Sequence, residues 1–178
     1  IVLSDVAEHW AKASIEQAVA LGFVNGYEDG TFKADRKVTR GEFAAMLARA
    51  LKLELDDAEF RFADQDETPK WAQPFIQAIA NAGFVSGYED GSFRTNKEMT
   101  RIELIVIVVR ALGLEAKPGR MIGFEDADQI PAWAEPYVSA AEEAGLIKGA
   151  GDGKLNPNAS ASRAEAVTLI LSMLNFGK

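Results

Sequence analysis

The chain has 178 residues, 48% hydrophobic and 26% charged, with 27 acidic against 19 basic side chains for a net charge of −8. That sign argues against DNA or RNA as the main partner, because phosphate neutralisation needs basic patches, yet it leaves room for an anion held in one local pocket. With no cysteine there are no disulfides or thiolate metal sites, and the longest apolar run, Leu104–Val109, is far too short to cross a bilayer.

The opening residues have neither the basic start nor the long apolar core of a signal peptide, so the chain reads as a mature or trimmed fragment. The first element is an acidic lead-in, LSDVAEHW, ending on Trp10. Ala11, Ile15 and Ala18 follow at offsets of four and three, one face of a helix, and Gly22 is a plausible stop. Next comes GFVNGYEDGTF, Gly22–Phe32, whose YEDG is turn chemistry and whose Phe32 is expected to tuck the loop back against apolar surface. TRGE at Thr39–Glu42 fits a capping box, in which the hydroxyl accepts from an N–H one turn on and the Glu reaches back. Phe43, Met46, Leu47, Ala50 and Leu51 then make the core-facing stripe of a second helix. Residues 54–61 read as a linker.

The same series is then written again. Trp71 closes FADQDETPKW, Ala72, Ile76 and Ile79 repeat the helix face with Pro74 near its start, and GFVSGYEDGSF runs from Gly83 to Phe93. TRIE at Thr100–Glu103 opens a segment with Leu104, Ile107, Val108, Ala111 and Leu112 at the matching sites. Its β-branched residues suggest a strand, but the cap and the in-register copies favour a helix, one apolar on every side and so expected to be the most enclosed element. After a second linker, residues 115–123, the third copy carries Trp133, then Ala134, Val138 and Ala141 with Pro136, then GLIKGAGDGKL from Gly145 to Leu155. SRAE at Ser162–Glu165 leads into Ala166, Leu169, Ile170, Met173 and Leu174. Here Ala150 and Gly151 replace the Tyr–Glu pair of the other two loops.

Three tandem helix-loop-helix repeats therefore occupy residues 1–57, 58–119 and 120–178, in a mostly α fold. Units of about sixty residues bury their own apolar stripes poorly, so one integrated assembly with a shared helical core is expected.

Capping explains the Thr and Glu of TRGE but not the Arg between them. Arg40, Arg101 and Arg163 stand at the first helical position, where the positive helix end mildly repels them. Two readings stand level: an anion site built from guanidinium and helix-end N–H groups, or an ion pair with Asp5, Asp64 or Asp126 of the lead-in. Trp10, Trp71 and Trp133 are either core residues, the commoner case, or stacking faces for sugar rings. Gly26, Gly87 and Gly149 serve the turn alone or let a ligand approach the backbone, the first being the simpler account. The loop fails the calcium pattern, since its twelfth position falls on Arg36 or Lys97. His9 is the single histidine, and no catalytic constellation is visible. Neither enzyme activity nor a cofactor or metal is expected.

Taken together, the lead-in, the Trp, the GFVNGYEDGTF loop and the TRGE-type cap, three times over from about Leu3 to Leu174, resemble a triplet of S-layer homology repeats. The resemblance implies a pseudo-threefold helical spindle around a central three-helix bundle. It also implies that grooves between repeats bind secondary cell-wall polysaccharide, anionic and carrying ketal-linked pyruvate, and so anchor surface proteins to the bacterial cell wall. Groove residues carried over are Arg40, Arg101 and Arg163, the three tryptophans, the loop glycines Gly26, Gly87 and Gly149, and Tyr27 and Tyr88. The loop that lacks the tyrosine is the weakest pocket on this basis. Implied too are an extracellular, cell-wall location without membrane insertion and S-layer self-association through other parts of a full-length protein. The alternative is a helical interaction or self-assembly module with no glycan ligand.

Overall fold

The computed structural model describes residues 2–55, 59–116, 123–148 and 152–178. Among these residues are six α-helices, two short 3-10 turns and no strand: α1 (Lys12–Leu21), α2 (Arg40–Ala50), α3 (Gln73–Asn81), α4 (Arg101–Ala111), α5 (Glu135–Glu143) and α6 (Arg163–Asn175), with the turns at Gln65–Glu67 and Ala127–Gln129. Each repeat thus contributes two helices, and the segment with β-branched residues in the middle copy is the helix α4. Both linkers fall partly outside the described residues.

The first helices form as their spacing predicts. Ile15, Ala18, Ile76, Ile79, Val138 and Ala141 are all buried. A glycine with positive φ follows α1 directly at Gly22 (φ 83°) and follows α3 and α5 one residue on, at Gly83 and Gly145. Pro74 and Pro136 sit in the first turns of α3 and α5, where a missing N–H costs least. At each second helix the cap hydroxyl accepts from the Glu N–H: Thr39 from Glu42 at 3.2 Å, Thr100 from Glu103 at 3.3 Å and Ser162 from Glu165 at 3.1 Å. The reciprocal half of the box closes only at Thr100, whose N–H donates to Glu103 Oε1 at 3.4 Å. At the Thr39 and Ser162 starts this return bond is not made.

Helix packing runs between repeats, not within them. α2 lies on α3 of the next repeat, α4 lies on α5 of the next, and α6 lies on α1 of the first. α6 also packs on both α2 and α4, and one contiguous apolar core crosses all three repeats. α4 is no more enclosed than its counterparts: seven of its 11 residues are buried, against eight of 11 in α2. Each second helix faces the shared core on one side and a neighbour's first helix on the other, so position in the assembly overrides composition.

The segments entering the second helices meet in a ring of backbone hydrogen bonds. Val38 N–H donates to Ala161 C=O at 3.0 Å, Ala161 N–H to Met99 C=O at 2.8 Å, and Met99 N–H to Val38 C=O at 3.1 Å. All three residues are buried, so each bond satisfies a group that water cannot reach. Isolated antiparallel bridges, Lys37 with Ser162, Thr39 with Glu98 and Thr100 with Ser160, flank this ring.

Candidate functional site

Around the ring the loop of each repeat is seated on the helix start of the one before. The loop itself closes by a four-residue turn: Gly30 N–H donates to Tyr27 C=O at 3.0 Å, Tyr27 N–H to Thr31 C=O at 2.7 Å, and Gly30 takes φ 81°. The lead-in aspartate then clamps the loop's end. Asp5 accepts from Phe32 and Lys33 N–H, Asp64 from Phe93 and Arg94, and Asp126 from Leu155 and Asn156, each at 2.8–2.9 Å. The second residue of each pair has positive φ, between 53° and 61°. These aspartates are therefore loop clamps and not partners of the motif arginines. Burial pushes the Asp5 and Asp126 carboxyls up, but the donated N–H bonds outweigh it and hold both below the ordinary carboxylate value.

The N–H groups that open each second helix are already engaged. Arg40 and Gly41 donate to the carbonyls of Lys97 and Thr95, Arg101 and Ile102 to those of Ala159 and Pro157, and Arg163 and Ala164 to those of Arg36 and Ala34. An anion site built on free helix-end N–H groups is thereby ruled out, which leaves the arginine side chains as the candidate donors.

Each arginine side chain reaches into the following repeat. Arg40 Nε donates to Phe93 C=O at 2.8 Å, Arg101 Nε to Leu155 C=O at 2.6 Å, and Arg163 Nε to Phe32 C=O at 3.1 Å. Their Nη1 atoms meet the cap glutamates of that repeat: Arg40 with Glu103 at 3.4 Å, Arg101 with Glu165, and Arg163 with Glu42 at 3.8 Å. Two of the three guanidinium groups also lie over aromatic rings, Arg40 over Tyr88 and Phe93 and Arg163 over Tyr27 and Phe32, at 4.5–5.0 Å. Arg101 meets Leu155 where the others meet Phe. Ala150 and Gly151, which replace the Tyr–Glu pair, lie outside the described residues, as does Gly149.

The three arginines differ in what is left over. Arg163 Nη2 donates to Asn25 C=O at 3.2 Å, so all three of its nitrogens are engaged. Nη2 of Arg40 and of Arg101 has no hydrogen-bond partner among the described residues. The Arg40 and Arg163 side chains are 7% and 8% exposed, whereas the Arg101 side chain is 23% exposed. Burial draws the Arg101 and Arg163 guanidinium pKa down, yet arginine stays charged throughout the physiological range.

Both open arginines line clefts. Arg101 borders one of about 650 Å³, with Glu165 and Lys148 of the third repeat and Trp10 of the first. Arg40 borders one of about 370 Å³, with Tyr88, Gly87, Lys97 and Glu103 of the second repeat and Trp133 of the third. Each cleft therefore joins the arginine of one repeat, the loop and glutamate of the next, and the tryptophan of the remaining one. Trp10, Trp71 and Trp133 are 67%, 53% and 56% exposed, so they are surface residues and not core. Trp71 lines neither of these clefts, and Tyr27 is engaged by Arg36 at 2.6 Å through its hydroxyl. The room left by Gly26 and Gly87 is used internally: a Cβ there would lie 2.5 Å from Leu3 Cδ2 and 2.9 Å from Phe62 Cε1. Lys97 and Lys148 escaped the sequence reading. Arg36 and Lys97, each three residues before a cap threonine, were a recurring basic signal that could have flagged the first of them.

Comparison with known proteins agrees with this architecture. The family model described as "S-layer homology domain" matches residues 3–44, 61–105 and 123–167, more than half of the chain. Similar curated proteins include "S-layer protein sap" of Bacillus anthracis, 32% identical over 92% of this chain and 20% of its own length. "Surface-layer 125 kDa protein" of Lysinibacillus sphaericus is 32% identical over 88% of this chain and 13% of its own. "Exoglucanase XynX" of Acetivibrio thermocellus is 31% identical over 98% of this chain and 16% of its own. The chain spans a fifth or less of the length of these relatives. On the three matches and the cyclic repeat geometry together, the chain belongs to the S-layer homology domain family.

Proposed function

We propose that the chain attaches the protein that carries it to the bacterial cell wall, by binding pyruvylated secondary cell-wall polysaccharide in the Arg40 and Arg101 clefts. We take residues 1–57, 58–119 and 120–178 as its three repeats, working as one unit. The observation that carries the reading is the pairing, in each cleft, of a guanidinium with an unclaimed Nη2 and an exposed tryptophan from a different repeat. A pyruvate ketal presents a carboxylate to the former and its sugar an apolar ring face to the latter. Each cleft sums to one net positive charge, from Arg40, Lys97 and Glu103 or from Arg101, Lys148 and Glu165. That local sign outweighs the chain's net −8, which salt screens beyond roughly 8–10 Å.

The part played is attachment, not catalysis. Relatives named as enzymes share this unit over a small fraction of their length, which fits activity housed elsewhere in those chains. The location that goes with the family is the outer surface of the cell, at the wall. No helix of the described residues is long and apolar enough to cross a membrane. Any assembly into a surface layer is assigned to other parts of the full-length protein.

Titration with purified wall polysaccharide tests the reading. Trp10→Ala and Trp133→Ala alter exposed side chains and are expected to weaken binding on the order of tenfold each without loss of helical signal. Arg40→Ala with Arg101→Ala is expected to abolish it, and removal of the ketal pyruvate from the polymer to do the same to the unaltered protein. Equal binding to the depyruvylated polymer sinks the carboxylate assignment. Sedimentation with wall sacculi that persists after the polysaccharide is stripped would instead favour a protein-binding module.

A further inference from the structure

The Arg101 cleft does not end at its charged wall. A second cleft, of about 460 Å³, shares Gly145, Leu146, Thr168 and Ser172 with it and runs on between α1 and α6. Its own additional lining comes from Ser14 and Gln17 of α1 and from the C-terminal end of α6 at Asn175 and Phe176. Among the described residues, no charged side chain lines this second cleft. The side chains of Ser14, Gln17, Ser172 and Asn175 make no hydrogen bond among the described residues, although each can both donate and accept. Phe176, 41% exposed, adds an aromatic face at the far end.

We propose that this second cleft is a subsite for uncharged sugar residues of the same glycan whose acidic sugar lies at Arg101. The inference rests on the polysaccharide reading above and deepens it. A wall of hydroxyls and amides with no net charge suits the hydroxyl-rich, neutral part of a polymer and gives a second carboxylate no counter-charge. The shared wall supplies continuity: Gly145, Leu146, Thr168 and Ser172 border both spaces, so a chain leaving the guanidinium along them reaches the second cleft.

The test compares a single pyruvylated sugar with a longer pyruvylated oligosaccharide from the same polymer, by calorimetric titration against the Gln17→Ala/Asn175→Ala variant. The double substitution is expected to weaken the oligosaccharide about tenfold and to leave the single sugar unchanged. Ser14→Glu, at a half-buried position in the first turn of α1 where an acid favours the helix, is expected to weaken the oligosaccharide alone in the same way. If both variants bind the oligosaccharide as the unaltered protein does, the subsite is overturned while the arginine clefts stand. If neither probe binds the unaltered protein, the polysaccharide reading falls and the subsite with it.

Discussion

A carboxylate two residues into each lead-in holds the end of that repeat's own loop. Asp126 accepts two backbone N–H groups, from Leu155 and Asn156, and so fixes a residue with positive φ at the exit of the loop. Its folded pKa lies below the 3.8 of the free group, as does that of Asp5. A depressed folded pKa means stability that is fully present above the unfolded value and lost as pH falls through the folded one. Unfolding free energy is therefore expected to hold steady at neutral pH and to decline below about 3.8, with a shallower decline in Asp126→Asn. Urea titrations at a series of pH values check this; an equal slope in the variant would remove Asp126 from the account. The residue scale was the least legible in the sequence. Asp126 stood out as a partner for arginine, and only the chain's closure shows that the loop end claims it. The arginines were visible as unexplained by capping, but their target, a carbonyl more than fifty residues away, has no local signature.

At the scale of elements, each second helix starts on a surface made by the next repeat. Its first two N–H groups and its arginine hold that repeat's loop and the segment after it in place, while the cap hydroxyl serves its own helix. Arg163 is the extreme case, with three engaged nitrogens between two aromatic rings and 6% exposure. Arg163→Ala leaves the carbonyls of Phe32 and Asn25 and the Glu42 carboxylate short of a donor, for an expected loss of about 1–3 kcal/mol in stability. The urea midpoint reads it, and glycan affinity at the other two arginines is expected to be unchanged. A variant as stable as the parent would mean that the clasp is idle. Helix existence, faces and caps were all legible, because 3.6-residue spacing and S/T-x-x-E are local. The degree to which each helix is enclosed was not, since α4 looked special only when read alone.

For the whole molecule, the decisive fact is that α6 closes onto α1. A polypeptide of residues 1–119 loses that contact, strands Val38 N–H and Met99 C=O, and removes the carbonyls that cap α4. It is expected to lack a cooperative urea transition and most of its helical circular dichroism, whereas the three-repeat chain unfolds in one step. A stable two-repeat fragment would contradict shared folding. That units of this size must share a core was legible from length; the direction of sharing, onward to the next repeat and finally back to the first, was not.

The amide ring through Val38, Met99 and Ala161 has a further implication for how such proteins grow. Helical arrays that stack end to end leave a free edge on which another copy can be added. Here the last copy docks on the first, and no edge remains. Lengthening the chain by one copy would break a bond in the collar without offering the newcomer a seat. A fourth copy is therefore expected to find no place in this collar and to need a second closed triplet of its own.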